Sequence, residues 1–325
     1  MDINTYKIES YYKGSCTRLW NQLPGETVND SWDLVQDWNF SIMHKRMPLP
    51  ATSGVLLHCL ARWSETRMVY RFDADLIAEL EEMAKQMDDD EVPAQFLRLP
   101  FPAISIQPDT SEVTKMLREL NIPLDATFGE ELTFTLTETL PGEIHPLKCI
   151  IGSITCGLGI GNVVLPIGET VGESIKAAMD FKDNSQHWIA KEMRRIENIP
   201  IQAESFKLLI QLLLYINSSN SDQKNAEERN VPKNEKKAIK RQLEKTKTKV
   251  IDVGYHIGKL IKTARESEGS SGKGGKKRPH FRRAHWHHYW IGKRDGERTL
   301  ILKWVMATAI HADQIDEKPT VMMVE

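Results

Sequence analysis

Between Leu132 and Gly168 the apolar residues change period, and that change restricts the chain to folds that combine helices with a sheet. Leu132, Phe134 and Leu136 alternate with Thr133, Thr135 and Thr137, the two-residue repeat of a half-buried strand. Leu147 to Cys156 is a more continuously apolar strand, and the five glycines between Cys149 and Gly168 suit paired strands and a turn. On either side the spacing is helical. Val55, Leu56, Cys59, Leu60 and Trp63 form one stripe. Leu76, Ile77, Leu80, Met83, Ala84 and Met87 form a second, closed by the acidic run Asp88 to Glu91 and by Pro93. Val113, Met116, Leu117 and Leu120 form a third. Pro100 and Pro102 precede a short strand, Ala103 to Ile106, and predict a strand start or a sheet edge. Thr170 and Glu173 have capping-box spacing ahead of a helix through Ile175 and Met179. Glu204 to Ile216 is apolar nearly all round and predicts a buried helix. The expected class is α+β, with N-terminal helices packed on a mixed or antiparallel sheet.

A chain of 325 residues, 40% hydrophobic, can bury one large core or two ordinary ones. Met1 to Tyr12 lacks the apolar stretch of a secretory leader, and Phe206 to Ile216 is too short to span a bilayer and carries Lys207 and Gln211. A soluble, cytoplasmic protein with no membrane partner is expected. Cys16, Cys59, Cys149 and Cys156 form no CxxC pair, so they read as small buried hydrophobes in a reducing compartment. Cys156 to Gly161 offers G-x-G-x-G without the third glycine, and the next helix start lies beyond Pro166, so a dinucleotide site is rejected. No nucleophile elbow, Walker loop, HExxH or fixed-period repeat is present.

The net charge of −2 conceals a strong asymmetry. Lys224 to Lys303 holds 23 Lys and Arg against 9 Asp and Glu, a net +14, which leaves −16 for the remainder. Such polarity points to an anionic partner, nucleic acid first. Taken alone, Lys233 to Lys249 reads as a solvated basic face. Ser218 to Lys233 reads as a polar loop or linker, and Glu266 to Lys277 as a Gly/Ser hinge. Val250 to Leu260 fits both a strand and a helix, with Gly254 and Gly258 marking close backbone approach. The chain therefore divides into an α+β body at 1–217, a basic linker with a helix or strand segment at 218–277, and a basic-aromatic hairpin at 278–325 packed on the body.

That last part contains the densest chemistry. A hairpin is predicted from about His285–Ile291 to about Arg298–Met306, turning through Gly292 to Gly296. On its first strand His285, His287 and Tyr289 share one face, and Trp286, His288 and Trp290 the other. Arg278, His280, Arg282, Arg283, Lys293 and Arg294 flank them. Guanidinium forks match phosphate and aromatic rings stack on unpaired bases, so these residues make a candidate RNA- or ribosome-binding patch. The plainer alternative makes Trp286, Tyr289, Trp290 and Trp304 core aromatics. Three arginines and four histidines between Arg278 and His288 are harder to assign to packing. A zinc site from His280, His285, His287 and His288, serving a metal-dependent nuclease with Asp295 or Glu297, is a further alternative; the Cys or carboxylate ligands usual at fixed spacing are missing nearby. A generic RNA- or DNA-binding protein of a mobile element is another.

Arg278 to Arg294, RPHFRRAHWHHYWIGKR, resembles the type V-A anti-CRISPR family whose members suppress production of the Cas-twelve-a effector nuclease. The family run R-P-H-x-R-R-x-H-W-H-x-Y-W-x-G is intact here, and Leu302-Lys-Trp304 continues it. Weaker echoes lie at Leu97 to Pro100, Leu208 to Tyr215 and Ile251 to Gly258. The resemblance implies a phage- or mobile-element-encoded binding protein with no cofactor and no catalytic residues of its own. It implies recognition of the nascent N-terminal peptide of the nuclease during translation, followed by loss of its mRNA. The partners implied are that peptide, the mRNA or ribosome, and a host RNase as a candidate recruit.

Overall fold

A computed structural model describes residues 6, 7, 9, 10, 53–85, 91–108, 133–138, 149–156, 159–185, 190, 194, 201–228, 232–268, 280–282, 284–293, 296–305 and 308–310. The helical stripe at Val113 to Leu120 lies outside them. Helix α1 (Ser53–Thr66) buries Val55, Leu56, Cys59, Leu60 and Trp63, as its spacing predicts. Arg67, in the left-handed region at φ 51°, reverses the chain into strand β1 (Met68–Phe72). Asp73 then caps helix α2 (Ala74–Ala84), its carboxylate accepting from the Asp75 N–H at 3.0 Å. Strand β2 (Ala103–Pro108) returns parallel to β1, and β3 (Thr133–Glu138), β4 (Cys149–Cys156) and β5 (Gly159–Pro166) follow as an antiparallel meander. Gly159 and Gly161 of the glycine run thus sit in strand β5. Helix α3 (Val171–Asn184) starts on the Thr170/Glu173 capping box, and α4 (Ile201–Asn217) is buried nearly all round from Leu208 to Ile216. No described helix is long and apolar enough to cross a membrane.

Residues 218–277, set apart in the sequence, add strand β6 (Gln223–Asn225), helix α5 (Lys233–Thr246), strand β7 (Lys249–Val253) and helix α6 (Tyr255–Glu268). The segment that fits both periods is a strand followed by a helix. β7 lies parallel to β1, and Gly254, at φ 81°, turns the chain into α6. Gly258 then passes so close to α2 that a β-carbon would run into the Asp73 carboxylate. The seven strands lie in the order β5-β4-β3-β2-β1-β7-β6, a mixed sheet. β2 is therefore internal, with its prolines at or beyond its ends, and not an edge strand.

Alternation divides the sheet residues between two faces. Tyr70, Phe72, Ile104, Phe134, Leu136 and Val253 join α2, α4 and α6 in the main core. Val69 and Val250 join Trp63 of α1 and Ile239 and Leu243 of α5 on the opposite side. Because α1 crosses that side, β3 is buried on both faces, and Thr133, Thr135 and Thr137 are as inaccessible as Phe134 and Leu136. The half-buried strand expected from alternation is thus corrected by a helix that alternation does not reveal. Of these threonines, Thr137 donates to the Pro102 carbonyl at 3.1 Å, and in the neighbouring β4 Ser153 donates to that of Gly161 at 3.2 Å. Cys59 and Cys149 are buried thiols outside any disulfide, and burial raises the Cys59 pKa.

His58 of α1 is buried, and desolvation, aided by the Arg62 charge, lowers its pKa from 6.5 to about 4. The neutral ring is therefore the folded form. Its stabilising effect is complete above pH 6.5 and is lost as pH falls toward 4, because the unfolded chain takes up a proton that the folded chain refuses. The full span amounts to about 3 kcal/mol. In urea unfolding between pH 7 and pH 4, His58→Gln is expected to lose stability more slowly than the parent protein. Parallel curves would refute the assignment.

Candidate nucleic-acid interface

The His/Trp segment forms strand β9 (His285–Gly292), paired antiparallel with β10 (Arg298–Val305) in the predicted hairpin. The ribbon is longer than predicted. Strand β8 (His280–Arg282) pairs with β11 (Thr308–Ile310), and Arg282 opposite Thr308 keeps step with His285 opposite Val305. The front of the motif thus continues the same two-stranded arm.

One face of the arm is its root. Trp286 faces Trp304 and His288 faces Leu302 across the ladder. Leu302 and Trp304 are 1% and 3% exposed, within the main core. The Trp304 ring meets Tyr215 edge-on at 5.5 Å, and Tyr215 meets Phe72 at 6.2 Å, linking arm to α4 and α4 to sheet. The Trp304 indole N–H points to Met83 Sδ at 3.3 Å, and the Trp286 indole N–H donates to Gln211 Oε1 at 2.8 Å.

A short polar loop holds the backbone. Ser219 N–H donates to the Leu302 carbonyl at 2.8 Å. Asn220 brackets Trp304, accepting from its N–H at 2.9 Å and donating to its carbonyl at 2.8 Å. Two residues on, the Asp222 carboxylate accepts from His256 N–H at 2.6 Å and Ile257 N–H at 3.2 Å, capping α6. Asn217 exchanges hydrogen bonds with Arg98, donating to its carbonyl at 2.9 Å and accepting from its Nε at 3.3 Å. The stretch read as a loop or linker is therefore a loop that clamps the arm to α6, while Asn217, the last residue of α4, ties in the 97–100 segment. Its Asn/Ser/Asp content reads equally as a linker, so nothing local distinguishes the two.

The other face and the tip are open. His285 and His287 are exposed, as is His288 on the root side, Tyr289 is half-buried, and Lys303 stands over the Tyr289 ring at 5.5 Å. Toward the turn the arm outruns the body. Trp290 is 54% and Ile291 45% exposed, although Trp290 shares a face with the buried Trp286. The Arg298 guanidinium lies over the Trp290 ring at 5.8 Å, and Lys293 is exposed beside them. A flat ring paired with a cation at a projecting tip suits an unpaired base and its phosphate.

Of the residues singled out in the sequence, β9 thus brings together His285, Trp286, His287, His288, Tyr289 and Trp290, with Lys293 next to them. Trp286 acts at the root, as the core alternative has it, whereas Trp290 does not. His280 and Arg282 are placed by backbone only; Arg278, Arg283 and Arg294 lie outside the described residues. Alternation separates His288 from His285 and His287, which splits the proposed zinc set, and no cluster of metal-ligating residues occurs among the described residues. Arg298, Ser219 and Asn220 are contributions that sequence reasoning missed.

Comparison with known proteins accords with this architecture. No curated protein matches the sequence. The solved structure of AcrVA2 shares the fold, with a TM-score of 0.52 at 13% identity over 96% of this chain and 100% of that one. The AcrVA2-like family, described as the anti-CRISPR type V subtype A2 family, matches residues 70–312, from within strand β1 through the whole ribbon. On that match the chain belongs to the type V-A anti-CRISPR family.

Proposed function

We propose that this anti-CRISPR protein is a non-enzymatic binder that lowers expression of a type V-A effector nuclease in the cytoplasm of a bacterial host. It recognises the nascent N-terminal peptide of the nuclease and brings about loss of its mRNA, with the β9–β10 arm as the contact to RNA or the ribosome. The observation that carries this is the division within the arm: a root locked into the core, and a tip where Trp290, Ile291, Lys293 and Arg298 are exposed. Folding does not require a ring and three neighbours to stand in water, so binding is their natural use. Stacking of a base on Trp290 would contribute about 1–3 kcal/mol. No cofactor or catalytic residue enters the mechanism.

Co-expression with a type V-A nuclease gene tests the proposal. The pair Trp290→Ala and Arg298→Ala is expected to abolish most of the fall in transcript while leaving the melting temperature within about 2 °C. Synonymous recoding of the 5′ end should leave suppression intact if the peptide is read, and remove it if the RNA is read. Full suppression by the doubly substituted protein would rule out the arm as the contact.

A further inference from the structure

The arm is not the only concentration of positive charge, and the second lies across the sheet from it. Residues 233–249 carry eight cations against Glu235 and Glu244, a net +6. Helix α5 has its apolar side fully used: Ile239 and Leu243 pack on Val69 and Val250. The arm packs with Tyr70 and Phe72, on the other face. The basic half of the sequence is therefore two surfaces, pointing opposite ways.

On α5, Lys233, Lys237, Arg241 and Lys245 are four consecutive members of an i, i+4 row, all exposed. Lys236 and Lys240 run beside them, and Lys247 and Lys249 extend the patch past the helix end. Like charges at i, i+4 oppose helix formation, so the row is not there for the stability of α5. Among the described residues no carboxylate pairs with any of the four, and Lys240 alone reaches one, Glu244 at 4.0 Å. Lys233 to Lys245 spans about 18 Å, a length that faces several phosphates of a duplex, whose charges recur about every 3.4 Å of helix axis along each strand in B-form. The exposed side of the helix contains no aromatic residue, so it offers charge without stacking. A membrane surface is disfavoured because the apolar side needed for insertion is already buried against the sheet.

We propose that the exposed row of α5 binds the sugar-phosphate backbone of structured RNA, independently of sequence and of the arm. It goes beyond the function proposed above and shares no residue with the arm, so each can fail alone. Binding of the full-length protein to a labelled 20-base-pair RNA duplex of arbitrary sequence should be measured across a salt series, with the triple variant Lys237→Glu, Arg241→Glu, Lys245→Glu and with Trp290→Ala. The triple variant is expected to weaken duplex binding by about thirtyfold or more and to reduce the slope of log affinity against log salt by about two to three, while circular dichroism stays unchanged. The corresponding Gln variant should show a smaller loss with equal or higher thermal stability. Trp290→Ala should leave duplex binding unaltered. Unchanged affinity and slope in the Glu variant would overturn the proposal. So would a parent protein that ignores the duplex and instead binds an acidic peptide or anionic vesicles through these residues.

Discussion

Trp304→Ala is expected to lower stability by about 3–5 kcal/mol, the range for emptying a buried aromatic site. The ring is 3% exposed and joins α2, α4 and the arm through Met83, Tyr215 and its own strand. Its loss removes the contact area that docks a two-stranded ribbon, and such a ribbon has little stability of its own. Urea unfolding should show the full loss, and hydrogen exchange should show β9 and β10 opening first. Trp290→Ala, in the same arm, should change stability by less than about 0.5 kcal/mol. Equal losses for the two would mean that the tip also packs, and the division between root and tip would be wrong.

Gly254→Val should be nearly as damaging, by a different mechanism. The residue holds φ at 81°, where a β-branched side chain is strained, and its β-carbon would overlap the Leu76 side chain. Strain and overpacking together come to about 3–5 kcal/mol. The turn also fixes where α6 begins, through the bond from Gly254 N–H to the Asp222 carbonyl at 2.8 Å. Leu76→Ala removes the closest of these contacts, at Cδ2, and relieves most of the overpacking, so Gly254→Ala combined with Leu76→Ala should lose less than the sum of the separate losses. Additivity in urea unfolding would show that the close approach is unimportant.

What the sequence made legible is what neighbouring residues decide among themselves. The Thr170/Glu173 box, the stripe from Val55 to Trp63 and the hairpin around Gly292 to Gly296 all lie where their local patterns put them. Partnerships made at long range were hidden. Strand β1 is internal to the sheet, between β2 and β7, yet only five residues long, and it contains Arg71, which breaks any apolar signature. That arginine is matched by Asp252, 181 positions away, with Nε donating to the carboxylate at 2.8 Å. Likewise the threonines of β3 alternate as a water-facing set would, and only the docking of α1 buries them. In the candidate site the ring and imidazole chemistry was visible, but which tryptophan is buried depends on how far the body extends under the arm. The positive charge was visible too, whereas its partition between opposite faces required the strand order.

A projecting tip with no role in folding has an evolutionary corollary. Trp290, Ile291 and Lys293 can be exchanged for other residues without eroding the fold, since their neighbours at the root supply the docking. With the tip as the contact proposed above, a protein engaged against a changing adversary gains from such a region: its recognition chemistry can drift through many variants while the scaffold stays put. Libraries randomised at those three positions should yield mostly folded members with altered targets.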